Sequence, residues 1–262
     1  MAKRSGSRYN RRVKVLSRGD GVRAGSYAVR ARFDRSVLLL GAGDRVLFIV
    51  DRSIGAGPLN LVVPDPNAFV PGPRLAIPRR LKAPRYDSAL PRLDAAAHEK
   101  LRRALETCLP RHAPPDSLVS LFFPAGKIPR LQLMRDRLFR DALARIEAGR
   151  LAAGVRMIRG CGAGLTPAGD DFLCGWILAC RMRRKPAKAH RILRHARGKN
   201  PVSNAFLQLA AQGRVNIAVK KLLPAPSAAR VQAVCAFGHS SGADLLCGLR
   251  WGLLSSRFTV HG

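Results

Sequence analysis

The sequence predicts an α+β protein: a small N-terminal antiparallel β-sheet or barrel, then a mainly helical domain with an internal turn–helix repeat. Three observations predict it. Short apolar runs separated by Gly/Asp turns fill residues 13–63, prolines crowd residues 64–84, and helix-period patterning takes over beyond them. The expected plan is a basic tail at 1–12, a β-rich domain at 13–70, a proline-rich connector at 71–85 and a helical domain at 86–262.

Each element has its own signal. Tyr27, Val29, Ala31 and Phe33 alternate with mostly polar positions, as on a half-buried strand. Val37–Leu40 and Val46–Val50 follow, separated by the turn Gly41-Ala42-Gly43-Asp44, and a Gly-rich turn at 55–58 leads into Leu59–Val63. Prolines at 64, 66, 71, 73, 78 and 84 argue for an extended connector with little regular structure. Helices are expected at Ala89–Leu109 and Leu131–Gly149, with a strand at Leu118–Phe123 between them. Further helices are expected at Asp170–Arg183, Ala187–Arg197, Ser203–Gln212, Ala228–Phe237 and Asp244–Leu254.

Two of these helices open on nearly the same words. Gly169-Asp170-Asp171-Phe172-Leu173-Cys174-Gly175 and Gly242-Ala243-Asp244-Leu245-Leu246-Cys247-Gly248 share Gly-x-Asp-apolar-Leu-Cys-Gly at one constant offset. Gly175/Ala179 and Gly248/Gly252 place small residues four apart, on one helix face, so the two helices are expected to pack on each other. Their turns and acids then flank one shared site, or both are simply capped, closely packed helices.

Composition narrows the function classes. Nearly half the residues are apolar, which is globular and not disordered, and no apolar run approaches the roughly 18 residues of a membrane span. The basic start leads into no apolar core, so the expectation is a cytoplasmic protein without a membrane partner. Six cysteines form no CxxC pair and no zinc-type spacing, so they read as reduced packing residues. The formal charge of +31 rests on 37 arginines and 10 lysines. Nucleic-acid binding is one reading of such a charge. The arginines are scattered and only 15 residues are aromatic, so attraction of small anions or of an acidic protein stands ahead of it.

The candidate chemistry lies in the two turns. Gly160, Gly162, Gly164 and Gly169 bring bare N–H groups together where the helix at Asp170 points its positive end, a geometry suited to an anion. It is neither a Walker A loop nor a dinucleotide fingerprint. One of Asp170 and Asp171 is expected to cap the helix, leaving the other to accept substrate N–H groups or hold Mg²⁺ beside a phosphate. No metal ligand set and no other cofactor is assigned. Asp244 offers the same option from the second turn, where His239 replaces Thr166 and is either the general acid/base or a turn residue. Ser240, Ser241 and Gly242 complete that turn, and Asn60 either reaches the site or holds its own turn.

Gly164–Gly175 resembles the signature Gly-Leu-Thr-Pro-x-Gly-Asp-Asp-Phe-Leu-x-Gly of a bacterial family of unknown function that includes the AllH-type subunit of oxamate carbamoyltransferase. Gly238–Gly248 is similar to a second element, Gly-His-Ser-Ser-Gly-x-Asp-x-Leu-x-Gly, and Gly57–Asn60 and Val202–Leu207 look familiar too. The resemblance implies phosphorolysis of oxalurate to oxamate and carbamoyl phosphate, in allantoin breakdown, with two other protein subunits. On that chemistry the Gly160–Gly169 turn holds phosphate, Arg159 the second anion, His239 moves a proton, and Asp171 and Asp244 orient the carbamoyl NH₂. A non-catalytic subunit or scaffold, and a basic nucleic-acid-binding protein, are the alternatives.

Overall fold

The structure, a computed structural model, describes residues 14–123, 126 and 128–254. The basic tail expected at 1–12 lies outside the described residues. The α+β order is as expected, with a sheet first and helices after it.

The strands are β1 (Ser17–Gly19), β2 (Gly25–Phe33), β3 (Ser36–Gly41), β4 (Arg45–Val50) and β5 (Asn60–Val62). A single turn of helix, α1 (Pro66–Phe69), precedes β6 (Arg74–Ile77) and β7 (Arg85–Tyr86). They form one curled seven-stranded sheet in the order β6-β2-β3-β4-β5-β1-β7. The pairs Val37↔Ile49 and Leu39↔Leu47 align alternate β-branched and leucine side chains, which meet Leu61, Phe69 and Leu75 in the core.

Two features of the sheet differ from the sequence reading. β4–β5 and β1–β7 are parallel, where an antiparallel sheet was expected. A parallel crossover commonly needs a dozen or more residues. Here 51–59 suffices because the Asp51 carboxylate folds the connection on itself, accepting from Ser53 N, Ser53 Oγ and Ile54 N at 2.9, 2.7 and 3.0 Å. The stretch expected as a bare connector holds β6 and β7, which pair with β2 and β1. Prolines flank those strands and do not interrupt them, so the donors of β6 remain available to β2.

The helices are α2 (Ala95–His112), α3 (Arg130–Glu147), α4 (Leu151–Ile158), α5 (Ala168–Met182) and α6 (Pro186–Ala196). They continue with α7 (Pro201–Ala211), α8 (Ile217–Leu222), α9 (Ala228–Cys235) and α10 (Ser241–Leu254). None is long and apolar enough to cross a membrane. The strand expected at Leu118–Phe123 is instead a 3₁₀ turn, Leu118–Leu121, started by Ser117 Oγ accepting from Val119 N. The helix α4 was hidden by Gly154, a poor helix former. A Cβ there would collide with the Ala142 carbonyl of α3, so the glycine is what lets the two helices meet.

The chain divides into two compact units, one reaching Ala89 and including Val215–Ile217, the other holding Leu90–Arg214 and the remainder from Ala218. At the centre of the second unit every residue from Ala168 to Cys180 of α5 is buried. Phe172 stacks on Phe122 and meets Phe139 and Trp251 edge-on or tilted, centroids 5.9–6.1 Å apart. The closest partner of α5 is α10. A Cβ on Gly175 would strike the Leu245 carbonyl oxygen, one on Gly248 the Phe172 carbonyl oxygen, and one on Gly252 would lie 2.5 Å from Ala179 Cβ. The small face read from the sequence is therefore the contact face.

Candidate functional site

Backbone contact between α5 and α10 sets their first turns side by side. Thr166 Oγ1 and Ser241 Oγ stand 3.0 Å apart, one hydrogen bond linking the two Gly/Asp turns. Thr166 donates its one proton to Asp171 Oδ2 at 3.0 Å, which makes Ser241 the donor in the bond between the turns.

Neither acid of the first turn caps α5, contrary to expectation. The helix begins two residues early, at Ala168, and its N-cap is Pro167, which offers no side-chain acceptor. Asp170 reaches back instead and accepts from Gly160 N at 2.8 Å, closing the loop on itself. Gly169 is there for packing, since a Cβ would collide with the Ile158 carbonyl at the end of α4. Gly242 does the same against the Val234 carbonyl at the end of α9. Between these anchors the loop is open. Gly162 and Gly164 adopt φ +117° and +100°, conformations that favour glycine. The N–H groups of 162–166 have no intramolecular acceptor among the described residues.

In the second turn Ser240 donates to Asp244 Oδ2 at 2.8 Å, while Asp244 Oδ1 accepts from Leu118 N at 2.7 Å. Asp244 is fully buried and ties α10 to the 3₁₀ turn. His239 lies on the outside, its side chain 84% exposed, with Nε2 2.6 Å from Asp116 Oδ2. Arg159 is occupied elsewhere: its guanidinium donates to the Arg197 carbonyl at 2.8 Å and the His195 carbonyl at 3.4 Å, where α6 ends. Asn60 belongs to the β unit, buried, with Nδ2 donating to the Gly55 carbonyl at 2.9 Å.

The sequence reading missed the second half of this network. Arg135 and Asp136 of α3 hold the 3₁₀ turn from behind. Arg135 donates to the carbonyls of Asp116 and Ser117 at 2.6 and 2.8 Å and to Asp136 Oδ1 at 3.0 Å. Buried Asp136 accepts from Ser120 Oγ at 2.7 Å, and Gln132 donates to the same hydroxyl at 2.8 Å. A signal existed: Asp136 is in phase with the buried row Phe139, Leu143 and Ile146, so a carboxylate was being sent into the core.

Burial sets the charge states. Asp171 is pushed well above the usual carboxylate range, chiefly by burial; hydrogen bonds from Ser241 and Thr166 oppose it, and Asp244 and Asp170 add to it. Asp244 is pushed up to about 6 by burial, against the Leu118 N–H, the Ser240 hydroxyl and Arg135. Burial therefore favours the protonated form of Asp171. Cys174 and Cys247, each behind one of the acids, are driven up by burial first and then by those carboxyls, so both remain thiols that pack. Among the described residues no group of three or more His, Cys, Asp or Glu side chains is placed to hold a metal ion.

A raised acid pKa makes stability fall as pH rises. The folded chain binds Asp244's proton more tightly than the unfolded chain, so that stabilisation is complete below about pH 4 and lost as pH passes 6. Asp244→Asn can still accept from Leu118 N and should remove that loss. The expected result in urea titrations at pH 4.5 and 7.5 is that the variant's midpoint, relative to wild type, is higher at pH 7.5. An equal offset at both values would contradict the assignment.

The matched comparison falls on this network. The family model of oxamate carbamoyltransferase subunit AllH matches residues 158–253. That span runs from the end of α4 through α10 and contains both Gly/Asp turns, while Arg135, Asp136 and the β unit lie before it. The chain is similar to that family over this stretch. No solved structure matches the chain.

Proposed function

We propose that this chain is the anion-binding subunit of an oxamate carbamoyltransferase-type enzyme, working with other protein subunits in the cytoplasm. One observation carries the reading: the family match spans both turns, and those turns are joined through Thr166 and Ser241. In the reaction, a phosphate oxygen attacks the carbamoyl carbon of oxalurate, the C–N bond to oxamate breaks, and a proton moves to the departing nitrogen. The N–H groups of 162–166 receive the phosphate, as helix-entry loops do. Asp171, bonded to the Thr166 hydroxyl and favoured in its protonated form by burial, donates to the oxygen that gains charge. His239, exposed and paired with Asp116, exchanges the proton with solvent. Asp244, with both oxygens engaged, acts as a positioning residue through Ser240 and the 3₁₀ turn. Arg159, bonded to the end of α6, is left out of the anion site.

A second reading, a non-catalytic subunit, is favoured by the internal bonds of Asp170 and Asp244 to backbone N–H groups. The two readings separate in calorimetric and thermal-shift titrations with phosphate, carbamoyl phosphate and oxamate at fixed ionic strength. A specific ligand raises the melting temperature with its occupancy. Asp171→Asn keeps the size of the buried side chain but removes its acidic proton, so it should keep the melting temperature of the free protein and lose at least tenfold in carbamoyl phosphate affinity. Unchanged affinity, or no binding by the wild type, would favour the non-catalytic subunit.

A further inference from the structure

The first turn of α3 carries a surface that the polar network does not use. Leu131, Leu133 and Met134 are 79%, 48% and 62% exposed, although α3 has a complete buried row of its own in Phe139, Ala142, Leu143 and Ile146. Leu131, Met134 and Leu138 follow at i, i+3 and i+7, a second apolar row on the far side of the helix from Asp136. Large apolar side chains gathered on one turn mark an interaction surface more than a free one.

Charge identifies the occupant. Arg130, Arg137 and Arg140 around the patch are exposed. The helix opens at Pro129 with no side-chain cap and no acid in its first turn, so among the described residues its N-terminal N–H groups and positive dipole end meet no carboxylate of their own turn. A second copy brings a formal +31 against +31, and an arginine-rimmed patch against another. We propose that the first turn of α3 docks into an apolar, acid-rimmed surface of a different protein chain, one carboxylate of which caps the helix.

The position gives docking a consequence. Directly behind the patch, Arg135 and Asp136 fix the 3₁₀ turn, and that turn's Leu118 N–H holds Asp244. A chain seated on α3 therefore braces the carboxylate network from outside.

The test rests on the subunit reading above for its probe: the other subunits of the oxamate carbamoyltransferase, co-expressed with this chain. Wild type is expected to co-elute with them, with an affinity that falls as salt rises. Leu131→Ser/Met134→Ser should weaken the complex at least tenfold, and Arg137→Glu/Arg140→Glu should weaken it while lowering its salt dependence. Both variants change exposed side chains and should keep the melting temperature of the free chain. If wild type binds and Leu131→Ser/Met134→Ser binds equally well, the docking surface is wrong and the subunit reading stands. If wild type forms no complex, both fall. A wild-type homodimer that Leu131→Ser/Met134→Ser dissociates would make the occupant a second copy and overturn the proposal.

Discussion

Gly248→Ala is expected to cost about 3 kcal/mol of stability, the upper end of what overpacking a buried contact costs. The methyl would be driven into the carbonyl oxygen of Phe172, a backbone atom of a helix buried on all sides, which has no rotamer by which to yield. Gly175→Ala meets the Leu245 carbonyl in the same way and should behave alike. Gly43→Ala is the control: no atom lies within 4 Å, so only the strain of φ +66° remains, roughly 1 kcal/mol. Urea midpoints with unchanged m-values would measure all three. Similar losses at Gly43 and Gly248 would mean that α5 and α10 do not touch through their backbones.

Asp136→Ala is the second large change. It removes the acceptor of Ser120 and one of the partners of Arg135, whose side chain is only 17% exposed. Breaking a buried pair by one partner costs roughly 3–5 kcal/mol. The Asp116 and Ser117 carbonyls still hold the guanidinium, so about 3 kcal/mol is expected. Asp136→Asn keeps an acceptor and should lose less than half of that. The 3₁₀ turn should loosen with it, so the Leu118 amide, bonded to Asp244, should exchange faster in Asp136→Ala by more than the global loss explains. Equal protection at Leu118 in both variants would disconnect α3 from the second turn.

These two effects show where the sequence was legible. The paired Gly-x-Asp runs announced helices with a small face, because a glycine that admits a neighbouring backbone leaves a spacing that can be read directly. What the glycines of the turns do was less readable. Gly169 and Gly242 relieve collisions with helix-end carbonyls, whereas Gly162 and Gly164 supply φ, and one letter stands for both. The acids misled for a related reason: Asp at a helix start suggests a cap, but Asp170 and Asp171 sit inside the first turn and bond backward to Gly160 and Thr166. Arg135 and Asp136 were missed because their partners are carbonyls and hydroxyls of a 3₁₀ turn distant in sequence. The parallel β4–β5 crossover was hidden in the same way, since its shortness depends on three bonds to one Asp51 oxygen.

The central proposal is that the two turns of the helical unit form one carbamoyl-transfer site. Its most direct test is phosphorus NMR of the chain co-expressed with the other subunits of an oxamate carbamoyltransferase, supplied with carbamoyl phosphate and oxamate. Wild type should release inorganic phosphate with matching formation of oxalurate. Asp171→Asn and Gly162→Val should each lower that rate at least a hundredfold, while the variant chains still assemble. Turnover by either variant at the wild-type rate would place the chemistry outside these turns.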